Sequence, residues 1–151
     1  MLAVLNDTQQ SILSLEHALN DIISDGIAPV ADCPVKHHYA NGLYAREIFI
    51  PAGSVVVGKI HKFEHLNLIS RGKVYVVTEF GNEIYGATET PVTFKSPAGT
   101  KRALVAETDV IWTTFHITDK TDVDEILKEI IAEDYSEIQR LSYSDLKGAI
   151  Q

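Results

Sequence analysis

Along residues 7–24 the apolar side chains Ile12, Leu15, Leu19 and Ile22 recur at spacings of three and four, the period of a helix that buries one stripe. The spacing predicts an amphipathic helix, capped by Asp7 or Thr8 with Gln10 placed for a capping box from Asp7, and stopped by Asp25-Gly26. His17 lies off the apolar stripe and reads as a solvated residue. From about residue 36 the rhythm changes to short β-rich runs. The expected strands are Leu43–Ile50, Ser54–Ile60, His65–Ile69, Lys73–Glu79, Glu83–Gly86, Val92–Lys95, Arg102–Ala106 and Val110–Ile117. Pro51-Ala-Gly53, Ser70-Arg-Gly72, Phe80-Gly-Asn82 and Pro97-Ala-Gly99 supply the bends. Many short strands at close spacing predict an antiparallel sandwich or barrel.

Helical periodicity returns after residue 120. Thr121 is placed to cap a helix whose apolar face is Val123, Ile126, Leu127, Ile130 and Ile131, and a weaker helix is expected at 136–148 through Ile138, Leu141 and Leu146. No internal repeat and no long linker divides the 151 residues, so they read as a single domain. Its parts are an N-terminal helical arm over 1–32, a β barrel over 33–117 and a C-terminal helical segment over 118–151.

The net charge of −8 argues against the basic footprint that nucleic-acid binding needs. Divided along the chain it is −5 over 1–32, +2 over 33–117 and −5 over 118–151, so the bases collect in the barrel. Five of the six histidines, His37, His38, His61, His65 and His116, lie there too. A small anionic ligand is therefore compatible with an acidic protein. The first residues lack a basic, apolar leader and no apolar run approaches the ~18 residues of a membrane span, which predicts a cytoplasmic protein without a membrane partner. The single cysteine, Cys33, cannot form an intrachain disulfide, and its spacing to His37 and His38 matches no zinc finger.

The stretch Pro51-Ala-Gly-Ser-Val-Val-Val-Gly58-Lys-Ile-His61-Lys-Phe-Glu64-His65-Leu-Asn-Leu-Ile-Ser-Arg-Gly72 resembles the first signature of the cupin family of small jelly-roll barrels. That signature has two histidines separated by one residue, a glutamate four positions on and a glycine seven further. Counting back from Gly72 places His65 at the glutamate position, His61 at the second histidine and Lys59 at the first. Pro97-Ala-Gly99-Thr-Lys-Arg102 resembles the second signature, with Arg102 where a histidine stands. The resemblance covers about residues 40–117 and implies an antiparallel jelly-roll, cupin-like barrel, to which the apolar spacing adds an N-terminal helix and C-terminal helices. It also implies a homodimer formed by sheet pairing or strand exchange. The Cys-Pro-Val-Lys-His-His entry and the Trp-Thr-Thr-Phe-His exit are similar to those of small single-barrel proteins of bacteriophage and prophage.

Two functions follow as expectations. In the first, the barrel binds a small, anionic molecule, with a divalent metal held by His61 and His65, which share a strand face if residues 61–65 are extended. His116 is the candidate third ligand, because it alternates onto the face of Trp112 and Thr114. Arg102 and Lys59 add positive charge for the anion, and a guanidinium forks onto carboxylate or phosphate. Trp112 is a core or barrel-lining aromatic and a candidate ligand contact. Tyr44 and Glu64 are the candidates for proton transfer. A metal-free isomerase would instead pair His61 or His65 with Tyr44 or Tyr75. In the second, the barrel is a non-catalytic oligomerisation or accessory module, and Arg102 is a rim residue paired with Glu47, Glu64 or Glu107.

Overall fold

The computed structural model describes residues 5–86 and 91–138. Helix α1 (Asp7–Ser24) has the expected span, but its cap is Asn6, one residue before Asp7. Asn6 accepts from the backbone N–H of Gln9 while the Gln9 side chain accepts from the Asn6 N–H, so the capping box runs from Asn6 to Gln9 rather than from Asp7 to Gln10. Gly26, at φ +71°, takes the left-handed turn just past the helix end.

Among the described residues the elements that follow are, in order, β1 (Val35–Ala40), β2 (Leu43–Ile50), β3 (Val55–Val57), β4 (Ile60–His61), β5 (His65–Arg71), β6 (Val74–Thr78), β7 (Gly81–Tyr85), β8 (Val92–Ser96), β9 (Ala103–Ala106), β10 (Val110–Ile117), α2 (Val123–Ile130) and β11 (Ile131–Ala132). They form a five-stranded sheet ordered β1-β2-β10-β5-β8, a four-stranded sheet ordered β3-β9-β6-β7, and a two-stranded pair, β11 with β4. Each of these pairings is antiparallel. This is the expected jelly-roll architecture.

Alternation along the strands divides the side chains between inside and outside. Ile50, Ile69, Val110 and Trp112 from the larger sheet meet Val74, Val76, Leu104 and Ala106 from the smaller, closing one end of the barrel as a dry core. At Gly72, between β5 and β6, φ is +93° and a Cβ would lie 2.1 Å from the Asp109 carbonyl oxygen. Only glycine fits that turn.

The other end is closed by the C-terminal segment. Asp122, not Thr121, caps α2, accepting from the Glu125 N–H, and Ile126 and Ile130 pack on Tyr44. The chain then leaves the helix at Ile131 and pairs with β4 across the barrel's end, Ile131 opposite His61 and Ala132 opposite Ile60. Ile131 therefore belongs to a strand, not to the helical face assigned from its spacing. Residues 135–138 are helical, and the rest of the helix expected over 136–148 lies outside the described residues.

Candidate functional site

β5 and β10 are neighbours, and each turns a polar face inward at the end away from the dry core. His65 and Asn67 on β5 face Thr114 and His116 on β10, while His61 enters from β4 beneath β11. The three rings gather, with centroids 4.4 Å apart for His61 and His65, 4.9 Å for His65 and His116, and 5.5 Å for His61 and His116. Burial disfavours charge on all three, and mutual repulsion and Arg102 add to it. His61 is pushed down to about 2, and His65 and His116 to about 4. All three are neutral at neutral pH.

The nitrogens are differently engaged. His65 Nδ1 lies 3.2 Å from the Phe63 carbonyl oxygen and so carries the proton, which leaves Nε2 to accept from Arg102 Nη2 at 3.3 Å. His116 Nε2 lies 3.1 Å from the Thr114 hydroxyl. His61 Nδ1 is buried with no partner among the described residues. A divalent metal needs imidazole lone pairs turned toward one point. Here His65 has both nitrogens occupied and a guanidinium stands where the cation's charge would fall, while the His61 and His116 rings stack within 3° of parallel. Among the described residues no group of three His, Cys, Asp or Glu is arranged to hold a metal ion. The three predicted ligands are together, but in this arrangement they do not fit a divalent ion.

Arg102 is the centre of the polar end. It is 8% exposed and does not pair with the glutamates considered for it. Glu47 is taken by Lys36 and His38, Glu64 by Lys95 and Glu107 by Lys73. Its partners are neutral: His65 Nε2, Asn67 Oδ1 at 3.2 Å and the Ser96 hydroxyl, with its guanidinium carbon 5.1 Å from the Trp112 ring centre. Those three hydrogen bonds all leave from Nη2, so Nη1 and Nε have no acceptor among the described residues. Neither atom is sealed from solvent. Desolvation lowers the guanidinium to about 10, which still leaves it charged at neutral pH.

A cavity of about 240 Å³ opens onto Arg102, with Val76, Phe80, Tyr85 and Phe94 on its walls, Ser96 bonded to the guanidinium, and Thr100, Glu83 and Lys95 also on the lining. A larger groove of about 630 Å³ reaches His65 and His116 from outside, between Leu43, Phe63, Leu66, Phe115 and Ile117. Lys59 lines neither. It precedes the buried Ile60, is exposed, and adds no charge to the interior. Glu64 likewise precedes the inward His65, so it points out to the groove, where Lys95 holds it at 3.3 Å. Tyr44 is inside and fully buried, but its hydroxyl is 2.7 Å from His37 Nδ1, its ring stacks on His116 and it opens onto neither cavity. Trp112 lies beneath Arg102 and donates from Nε1 to Asn67 Oδ1 at 3.0 Å, supporting the guanidinium rather than lining the cavity. Of the adjacent histidines, His37 turns to Tyr44 and His38 to Glu47.

Sequence reasoning missed Asn67 and Ser96. The signal was there in principle, because Asn67 shares the inward phase of His65 and Ile69 and is a polar residue where alternation demands burial.

No family model matches the chain, and no curated protein sequence matches it. Solved structures do. A cupin domain from Bordetella pertussis Tohama I is 14% identical over 60% of this chain and 98% of its own, with a TM-score of 0.47. An RmlC-like cupin from Shewanella frigidimarina is 13% identical over 63% of this chain and 83% of its own, with a TM-score of 0.48. A variant of salicylate 1,2-dioxygenase from Pseudoaminobacter salicylatoxidans is 15% identical over 80% of this chain and 38% of its own, with a TM-score of 0.51. The last likeness supports a shared barrel fold, at an identity too low to carry an activity.

Proposed function

From the premise that this chain has the cupin jelly-roll fold, we propose that its barrel is a binding site for a small anion, held by the Arg102 guanidinium. One observation carries the reading. Arg102 is a buried charge whose protein partners are all neutral and whose Nη1 and Nε are left without acceptors among the described residues beside an open cavity. An isolated buried charge is costly, and the usual remedy is a counter-charge. Glu47, Glu64 and Glu107 are engaged elsewhere, and Glu83, though on the lining of the same cavity, is not among the partners of Arg102, so that counter-charge is supplied by the ligand.

Asn67, Ser96 and Trp112 fix the guanidinium, and His65 accepts one of its protons while remaining neutral. This reading routes nothing through a metal. Nor does it require the accessory role expected from the altered cupin ligands, although the apolar outer groove, with Ile117 87% exposed, is a surface a second copy would cover. No helix among the described residues is long and apolar enough to cross a membrane.

The test is thermal denaturation with formate, acetate, benzoate and inorganic phosphate, each titrated at constant ionic strength. At a hundredfold excess over Kd a bound anion stabilises by about 2.7 kcal/mol, which raises Tm by roughly 5–10 °C for a chain of this size. The rise should vanish in Arg102→Met. If no anion in the set shifts Tm, or if the shift survives Arg102→Met, the proposal fails.

A further inference from the structure

We infer that the ligand is a compact monocarboxylate with an apolar body, its carboxylate on Arg102 and its body against Val76, Phe80, Tyr85 and Phe94. This rests on the anion reading and narrows it. The cavity's lining is mixed. Arg102 and Ser96 meet on its lining, and Val76, Phe80, Tyr85 and Phe94 supply an aliphatic and aromatic wall that rewards removal of a hydrocarbon from water, while Thr78, Glu83, Lys95 and Thr100 make up its remaining polar lining. Formate or a bare inorganic ion would leave the apolar wall wet.

Charge sets the valence. One guanidinium faces the cavity, and Lys95, the other cation on its lining, is paired with Glu64 outside. Glu83 lies on the same lining and repels a second negative group. A dicarboxylate or a phosphate dianion would therefore carry one charge without a partner and beside a like charge. Size sets the length. About 240 Å³ holds about eight waters at about 30 Å³ each, so the body is one ring or a short branched chain.

The protein carries its own reporter, because its single tryptophan, Trp112, sits beside Arg102. The experiment titrates wild-type protein with benzoate, benzamide, acetate, phthalate and inorganic phosphate, reading Trp112 emission and checking affinities by calorimetry. Benzoate should bind saturably. Benzamide, which keeps the ring and loses the charge, acetate, which keeps the charge and loses the ring, and phthalate and phosphate, which add charge, should each bind at least tenfold more weakly. Phe80 is 55% exposed, so Phe80→Ser should fold normally. It should weaken benzoate at least threefold and leave acetate unchanged.

If acetate or phosphate binds as tightly as benzoate and the binding depends on Arg102, the anion reading stands and the apolar body is wrong. If benzamide equals benzoate, or no anion binds, both are wrong. The ligand series needs no variant, so a poorly folding Arg102→Met would not blunt the result.

Discussion

Lowering the pH should destabilise this protein by several kcal/mol before the range in which carboxylates titrate is reached. The perturbation acts on His61, His65 and His116, which are neutral in the fold and held down to about 2, 4 and 4 against an ordinary value of 6.5. Below pH 6.5 the unfolded chain therefore binds protons that the folded chain refuses, so stability rises with pH. It is fully present above about 6.5 and falls progressively toward pH 4. At pH 5 each ring withholds about 1.5 pH units at about 1.4 kcal/mol per unit, or about 2 kcal/mol. Allowing for partial screening by solvent, the three together remove about 4–6 kcal/mol. That compares with the ~5–15 kcal/mol by which whole domains are stable. The exposed Glu107 is held below the usual carboxylate range by its bond to Lys73, in the direction opposite to a contribution at pH 5–6.5. Urea unfolding followed by Trp112 emission at pH 7.5, 6.5, 5.5 and 5.0 measures the loss directly. Imidazole proton shifts in NMR identify the rings. Stability constant to within about 1 kcal/mol between pH 7.5 and 5, or three rings titrating near 6.5, would refute the reasoning.

The turn at Gly72 should tolerate no side chain: Gly72→Ala adds left-handed strain of about 1–2 kcal/mol to a clash with the Asp109 backbone. Its Tm should fall at least twice as far as that of Gly53→Ala, where φ is +82° and nothing lies within 4 Å of the added carbon. Equal losses would mean that the close approach is not there. The second test concerns Lys101, only 5% exposed, whose ammonium sits 2.9 Å from Glu16 on α1. Glu16→Gln strands a buried charge and should cost about 2 kcal/mol in chemical denaturation, less than the ~3–5 of a fully buried pair because Glu16 is 35% exposed. Adding Lys101→Met should recover most of that loss, and a double variant no more stable than Glu16→Gln would disprove the pairing.

The strands that read most clearly in the sequence are those with one face in the dry core. Leu43–Ile50 and Val110–Ile117 match β2 and β10 residue for residue, because their inward positions are bracketed by bends. The run Ser54–Ile60 proved to be two strands, β3 and β4, interrupted at Gly58, whose N–H bonds the Arg102 carbonyl oxygen at 2.8 Å. β1 was missed because Val35–Ala40 is an edge strand, exposed along most of its length and without an alternating apolar signal. β11 was missed because Ile131 continues the helical spacing of α2, and only pairing with β4 pulls it out.

The site divides in the same way. His65 and His116 could be placed inward from strand alternation, whereas Arg102 stood open between a pocket residue, through the resemblance of the Pro97-Ala-Gly99 turn, and a rim residue. What spacing could not reveal was which glutamates would be occupied by other cations, since that depends on contacts between strands distant in sequence. Among the described residues Arg102 has no acidic partner, and Glu47, Glu64 and Glu107 are held by Lys36 and His38, Lys95 and Lys73.

The short ladder of Ile131 and Ala132 on Ile60 and His61 is also a mechanical linkage. Tension on the chain beyond residue 138 would load first the Lys62–Glu137 ion pair and the packing of Tyr135 on Ile60, and next these two residue pairs, which lie beside a His61 Nδ1 without a partner among the described residues. A pull applied at the surface would therefore be felt at the histidines before it reached the hydrophobic core at the far end.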